Sequence, residues 1–263
     1  MGRFAVILPA AGRSSRFGDP RQKKVYADLD GRAVWLRAAE PFLHRDDVGQ
    51  VIVAIAPEDR ELFDRRYGAS VAFLKVRVVE GGAERADSIA SALAVVAADC
   101  DHVAVHDAAR PCVTAELIDA VFQAARDHGA ALPGVPVADT LKRVDAAQFA
   151  VETVPRAGLV AVQTPQAFRR DLLERAYADR GRAAGSITDD AMLVEAIGRH
   201  CRVVPGSAAN LKITTQDDLR LAALILKARS RSRPDAPAHP FTDEQAARGP
   251  LPKLGPRDLF KDE

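Results

Sequence analysis

The sequence predicts an α/β protein built on a mostly parallel sheet with helices on both faces. Three observations carry this expectation. Short β-branched and apolar runs alternate with longer segments of helical periodicity. Most of the short runs are apolar throughout rather than at every second position, as in strands that crossover helices shield on both sides. Finally, 263 residues, 48% of them hydrophobic, suffice for the core of one large α/β domain or two small ones.

Taken in order, the predicted strands are residues 4–9, 51–56, 76–79, 102–106, 130–137 and 202–204. The clearest helix between them is announced by Thr114 as its N-cap, Glu116 in the first turn and Gly129 just past its end. A last helix starts at Thr215 with Asp218 three residues on, and Leu219, Ala222, Ala223 and Leu226 form one apolar stripe along it. Residues 1–229 therefore read as one domain. Beyond about Ala228 the chain is rich in Arg, Pro, Asp and Lys, so residues 230–263 read as a mobile tail. Residues 135–164 fit the alternation of strand and helix poorly and read as an inserted arm.

Composition narrows the function classes. A formal net charge of +1 gives no global field toward nucleic acid or a membrane surface, so any anion site must be built locally. No apolar run is long enough to cross a bilayer. The apolar run 4–8 after Arg3 is interrupted by Pro9 and lacks the form of a secretory signal, and Val6 does not fit a myristoylation motif. Cys100, Cys112 and Cys201 are odd in number, far apart and without C-x-x-C spacing, which points to reduced thiols in the cytoplasm.

The first strand runs into Pro9-Ala10-Ala11-Gly12-Arg13-Ser14-Ser15-Arg16-Phe17-Gly18, followed by Lys23-Lys24. Small residues let backbone N–H groups approach phosphate oxygens, and the cations can neutralise a triphosphate. A surface turn with solvated charges fits the same stretch equally well, and it matches neither G-x-G-x-x-G nor G-x-x-x-x-G-K-[ST]. At the C-terminal end of the fourth predicted strand stands His106-Asp107-Ala108-Ala109-Arg110-Pro111, where open parallel sheets bind ligands. There Asp107 could hold a hydroxyl or a metal ion and Arg110 an anion, or the two could be a turn carboxylate and a surface cation. His102 and His106 share a strand face, but without further ligands they read as packing or hydrogen-bonding groups. The segments 81–88, 138–142, 163–166 and 210–214 are polar beyond the needs of a scaffold, although each alone also fits a plain turn or strand.

Together these pieces resemble the 2-C-methyl-D-erythritol 4-phosphate cytidylyltransferase family over almost all of residues 4–228. They are Pro9-Ala10-Ala11-Gly12, Arg16, Lys24-Val25-Tyr26, Gly81-Gly82 through Ser88, Asp107 through Pro111, Asp139-Thr140-Leu141-Lys142, Thr164-Pro165-Gln166, Ile187-Thr188-Asp189-Asp190 and Asn210-Leu211-Lys212. The resemblance implies a Rossmann-like nucleotidyltransferase fold with an extended dimerisation arm at 135–164. It also implies transfer of CMP from CTP to methylerythritol phosphate, with pyrophosphate released and Mg²⁺ bound mainly through the CTP phosphates.

By the family pattern Arg16 and Lys24 offset charge at the reacting phosphates, while Arg156 and Lys212 hold the substrate phosphate. Ala10, Ala11, Gly12, Gly82 and Ser88 line the CTP site, and Asp107, Arg110, Thr140 and Thr164 face the methylerythritol part. Members are homodimers whose arm crosses to the partner, so Arg156 is expected to serve the other subunit's site. A ribitol 5-phosphate cytidylyltransferase, or a nucleotide-binding protein that has lost turnover, are the alternatives. Two departures from the pattern stand out: Ser14 replaces a usual glycine, and an apparent insertion leaves Lys23 and Lys24 as rivals for one role, with the register after Tyr26 favouring Lys24.

Overall fold

The computed structural model describes residues 2–12, 14, 17–18, 23–183 and 186–231. Arg16 and most of the expected tail, residues 232–263, lie outside the described residues. The main sheet is assembled from β1 (Arg3–Pro9), β4 (Val48–Ile55), β5 (Arg77–Glu80), β6 (Cys100–Val105), β7 (Ala130–Pro136), β10 (Val160–Val162), β11 (Gln166–Arg169) and β12 (Arg202–Pro205). A ribbon of two short strands, β2 (Asp28–Leu29) and β3 (Arg32–Ala33), follows the first loop, and β8 (Leu141–Val144) and β9 (Ala150–Val154) form a hairpin of their own.

Parallel pairing joins β5, β4, β1 and β6 in that order, and β12 lies parallel to β7. Between these two groups β11 is antiparallel to both β6 and β7. That strand and β10 were not foreseen. They are short runs split by Gln163-Thr164-Pro165, and the Thr164–Pro165 peptide is cis. Neither run is long enough for its period to be read from the sequence. The six foreseen strands are all present, with ends shifted by a few residues at most.

Side chains alternate across β1 and divide the core. Phe4, Val6 and Leu8 face one layer with Trp35 and Phe42 of α1 (Val34–Leu43), Phe63 of α2 (Arg60–Phe73), Phe122 of α4 (Ala115–His128) and Ala222 of α7 (Gln216–Arg231). Ala5 and Ile7 face the other with Ile89 of α3 (Arg85–Leu93), Leu173 of α5 (Arg170–Ala178) and Val194 of α6 (Ala191–Ala196). This two-sided cover explains why the strands are apolar throughout. The foreseen helix signals act as expected: Thr114 Oγ1 accepts from Leu117 N at 3.3 Å, and Gly129 ends α4 at φ +82°. Thr215 and Asp218 cap α7 reciprocally, at 3.3 and 2.8 Å.

The hairpin β8–β9 falls inside the expected arm. Its base is closed where Val137 N donates to Leu159 O at 3.3 Å and β10 pairs antiparallel with the end of β7. Residues to Leu226 form one compact unit and a second begins at Lys227, while α7 continues to Arg231, beyond the boundary expected at residue 229.

Candidate active site

The C-terminal ends of β1, β5 and β6 border a cleft of about 480 Å³, the position where open α/β sheets bind ligands. One wall is the turn after β1, including Ala11, Gly12 and Ser14, with Lys24 beside it. Ala10, expected on the nucleotide, is fully buried, and its N–H is held by Ala54 O at 2.7 Å. Ser14 sits at φ +56°, the left-handed region that a glycine would enter freely. Its Oγ accepts the Lys24 N–H at 3.1 Å and so ties the two ends of the loop together. The neighbouring Lys23 turns elsewhere: its Nζ pairs with Asp59 at 2.7 Å and with Glu58 at 3.1 Å.

A second wall is the turn from Gly81 into α3. A Cβ at Gly81 would lie 2.5 Å from Ser88 Oγ, and one at Gly82 would lie 2.3 Å from Asp87 Cβ, so both glycines are required by close approach. The buried Ser88 hydroxyl accepts from Gly82 N at 3.2 Å and donates to Glu84 O at 3.2 Å, fixing the turn against the helix. Glu84 and Asp87 complete a capping box.

The floor follows β6. Burial favours the neutral ring of His106, whose Nε2 donates to Arg110 O at 3.0 Å; Nδ1 is then left to accept the Thr164 hydroxyl proton at 3.0 Å, while Thr164 Oγ1 accepts from Asp107 N at 3.0 Å. Both ring nitrogens are thus engaged, and burial lowers the His106 pKa to about 4. His102 bonds Asp101 through Nδ1 and packs on Phe4, so neither histidine is set up as a ligand. Thr164, expected to face substrate, is buried and holds the Asp107 backbone instead.

Asp107 lines the cleft at the meeting point of three cations. Lys212 Nζ reaches its Oδ2 at 2.9 Å and Arg110 Nε the same oxygen at 3.4 Å, while Arg85 Nε stands 3.8 Å from Oδ1. Burial alone would raise the Asp107 carboxyl, but Lys212, Arg85 and Arg110 outweigh it and hold the group well below the usual carboxylate range. The Asn210-x-Lys212 piece is fastened at its start. Asn210 Nδ2 donates to Thr164 O at 2.9 Å, and Asn210 O accepts from Arg110 Nη1 at 2.7 Å, which sets Lys212 at the cleft. Thus Arg110, expected on an anion, is turned toward the frame of the site.

Thr140 and Arg156 are exposed on the arm and are not among the residues lining this cleft. Arg85, which lines the cleft, was left without a role by the sequence reading. A signal was present, however: a cation at the first position of a helix opposes the helix dipole and needs another reason to be there. Gln163, noted only as part of the polar segment 163–166, was given no role of its own either. Its Nε2 donates to Ser207 O at 2.8 Å, and its Oε1 accepts from Ser207 N at 3.2 Å, steadying the approach to Asn210.

Two glycine-bearing turns that leave backbone open to an anion, with Lys24 and Lys212 both lining the opening, are the site of a nucleotidyltransferase. The model of IspD, 2-C-methyl-D-erythritol 4-phosphate cytidylyltransferase, matches residues 4–228. The chain belongs to that family. The protein of this name from Dechloromonas aromatica is 44% identical over 234 residues, 87% of this chain and 100% of its own. That from Rhodopirellula baltica is 42% identical over 234 residues, 84% of this chain and 94% of its own. A crystal structure of the Thermus thermophilus cytidylyltransferase superposes with a TM-score of 0.70 at 34% identity, covering 84% of this chain and 98% of that one. The fold is accordingly that of the Rossmann-like nucleotidyltransferases, and the protein is an enzyme. No helix among the described residues is long and apolar enough to cross a membrane.

Proposed function

We infer that the enzyme transfers CMP from CTP to 2-C-methyl-D-erythritol 4-phosphate, giving 4-diphosphocytidyl-2-C-methyl-D-erythritol and pyrophosphate. The observation that carries this reading is the family match across residues 4–228; the pairing of Lys24 and Lys212 in one cleft supplies its chemistry. An oxygen of the methylerythritol phosphate attacks the α-phosphorus of CTP, the bond from that phosphorus to the bridging oxygen breaks, and pyrophosphate leaves. The attacking oxygen is already anionic, so the chain needs no nucleophile or general base of its own. Its task is to align two anions and offset the charge that grows between them.

The turn at Ala11 and Gly12, with Gly82 and Ser88, receives the nucleotide. Lys24, together with Arg16, offsets charge on the reacting phosphates. Lys212 holds the incoming phosphate, and Asp107 takes a hydroxyl of the polyol, with Arg110 and Thr164 steadying it. Among the described residues no three His, Cys, Asp or Glu side chains stand together. A Mg²⁺ ion would be carried mainly on the triphosphate oxygens, and Glu58, Glu84 and Asp107 are the carboxylates that line the cleft. Such an ion would neutralise the triphosphate.

The active form we propose is a homodimer. The arm hairpin leaves Phe149 71% and Val151 59% exposed, an apolar surface suited to a second copy, and in such a dimer Thr140 and Arg156, exposed on the same arm, would serve the partner's cleft. The three cysteines, none in a disulfide, suit the cytoplasm.

Pyrophosphate release decides the substrate. With CTP, methylerythritol phosphate should support turnover and ribitol 5-phosphate should not, and replacing CTP by other nucleoside triphosphates should lower the rate. Turnover with ribitol 5-phosphate alone, or tight CTP binding without any release, would overturn the assignment. The relatives compared above carry the methylerythritol name, and none of them favours the ribitol alternative.

A further inference from the structure

Beside the cleft lies a charged cluster that the proposed reaction does not use. Asp190, fully buried at the start of α6, accepts from Arg85 Nη2 at 2.7 Å through Oδ2 and from Tyr177 Oη at 2.6 Å through Oδ1. Its backbone is fixed as well, since Gln166 Oε1 accepts from Asp190 N at 3.2 Å and from Ala191 N at 3.1 Å. Arg85 Nη1 is buried and makes no hydrogen bond, so the guanidinium is not fully satisfied where Asp190 holds it, while its Nε is the atom that faces Asp107. These contacts give a role to two residues of the family pattern that had none, Asp190 from the Ile187-Thr188-Asp189-Asp190 piece and Gln166.

The two oxygens of Asp107 are unequal. Oδ2 is taken by Lys212 and Arg110, whereas Oδ1 makes no hydrogen bond among the described residues and sees Arg85 only at 3.8 Å. That gap is about 1 Å beyond a good charged hydrogen bond. The Arg85 guanidinium thus lies between two carboxylates, bonded to one and held short of the other.

We propose that Asp190 is a positioning residue that retracts Arg85 from Asp107, keeping Asp107 Oδ1 open to accept a hydrogen bond from a hydroxyl of the polyol phosphate. Arg85 is near enough to favour the ionised carboxylate and too far to occupy it. Asp190 is thereby a determinant of polyol recognition that touches no substrate. The inference rests on the reading of Asp107 as the polyol residue.

Steady-state kinetics on the full-length enzyme test it. Asp190→Asn keeps the shape and can still bond Tyr177, but it no longer holds the Arg85 charge, so Arg85 closes on Oδ1. KM for methylerythritol phosphate should rise about tenfold while KM for CTP changes less than about twofold. Adding Arg85→Gln to that variant removes the closing cation and should return the polyol KM to within about threefold of the parent. If Asp190→Asn does not fold, Tyr177→Phe loosens Asp190 and should raise the polyol KM alone. Equal change in both KM values, a lowered Tm with both KM values unchanged, or no recovery in the double variant overturns the inference. Asp107→Asn separates the layers: if it leaves the polyol KM unchanged, the underlying reading falls too, and if it raises that KM while Asp190→Asn does not, only the retraction falls.

Discussion

Ser14 carries a backbone conformation that costs a non-glycine residue roughly 1–2 kcal/mol. The hydrogen bond from Lys24 N to its Oγ returns about 0.5–1.5 kcal/mol net, so the two terms nearly cancel. A serine is tolerated where glycine is usual because its side chain closes the loop whose backbone it strains. No single sequence could display that compensation, since the partner stands ten positions away. The same loop left Lys23 and Lys24 ambiguous, because an insertion makes spacing from Gly12 and spacing to Tyr26 disagree. Three dimensions separate them, with Lys23 locked to Asp59 and Lys24 at the cleft. Lys24→Ala should therefore lower kcat about 100-fold or more, and Lys23→Ala less than about fivefold with a lower Tm, both read from pyrophosphate release and thermal unfolding. The reverse ordering would move the charge-offsetting role to Lys23.

Elements with strong local punctuation were legible. Helix α4 begins and ends where its caps say, α7 begins at its Thr215 cap, and the parallel strands announce themselves by unbroken apolar runs. What escaped was set by pairing over distance. Strand β11 is four residues long, and its place between β6 and β7 comes from antiparallel partners some sixty and forty positions away. The arm was visible only as a misfit, yet its hairpin has the exposed alternation of a surface awaiting a partner, with Val151 on β9 and Phe149 just before it. If the proposed homodimer uses this face, Phe149→Asp shifts the enzyme toward a monomer in sedimentation velocity at micromolar concentration, with activity falling in step. An unchanged sedimentation coefficient would remove the arm from the interface. Asp107 and the glycine pair were legible because each stands just past a strand end, and Lys212 because the family pattern includes it, whereas Arg85, Asp190 and Tyr177 meet only when α3, α5 and α6 pack.

For the whole molecule, the buried neutral His106 predicts a pH dependence of stability. Its folded pKa is lowered from 6.5 to about 4, so between those values the unfolded chain binds more protons and stability falls as the pH falls. At pH 5 the loss from this one group is about 2 kcal/mol relative to neutral pH, to be read from urea unfolding at both pH values. Asp107 acts lower on the scale. With its folded pKa depressed, its contribution is intact above the usual carboxylate pKa and disappears only as the pH drops through the lowered value. A His106→Gln variant should flatten the limb from pH 6.5 to about 4 and leave the more acidic one.

The closed base of the arm has a consequence of another kind. Because Val137 and Leu159 lie side by side, everything between them leaves the sheet and returns to the point of departure. Such a segment can be shortened, lengthened or exchanged over generations without re-laying a strand of the nucleotide cleft. The freedom belongs to the tip of the hairpin: in the proposed dimer Thr140 and Arg156, near its base, serve the partner's cleft, so a lineage that redraws the tip inherits the chemistry only by keeping those two in place.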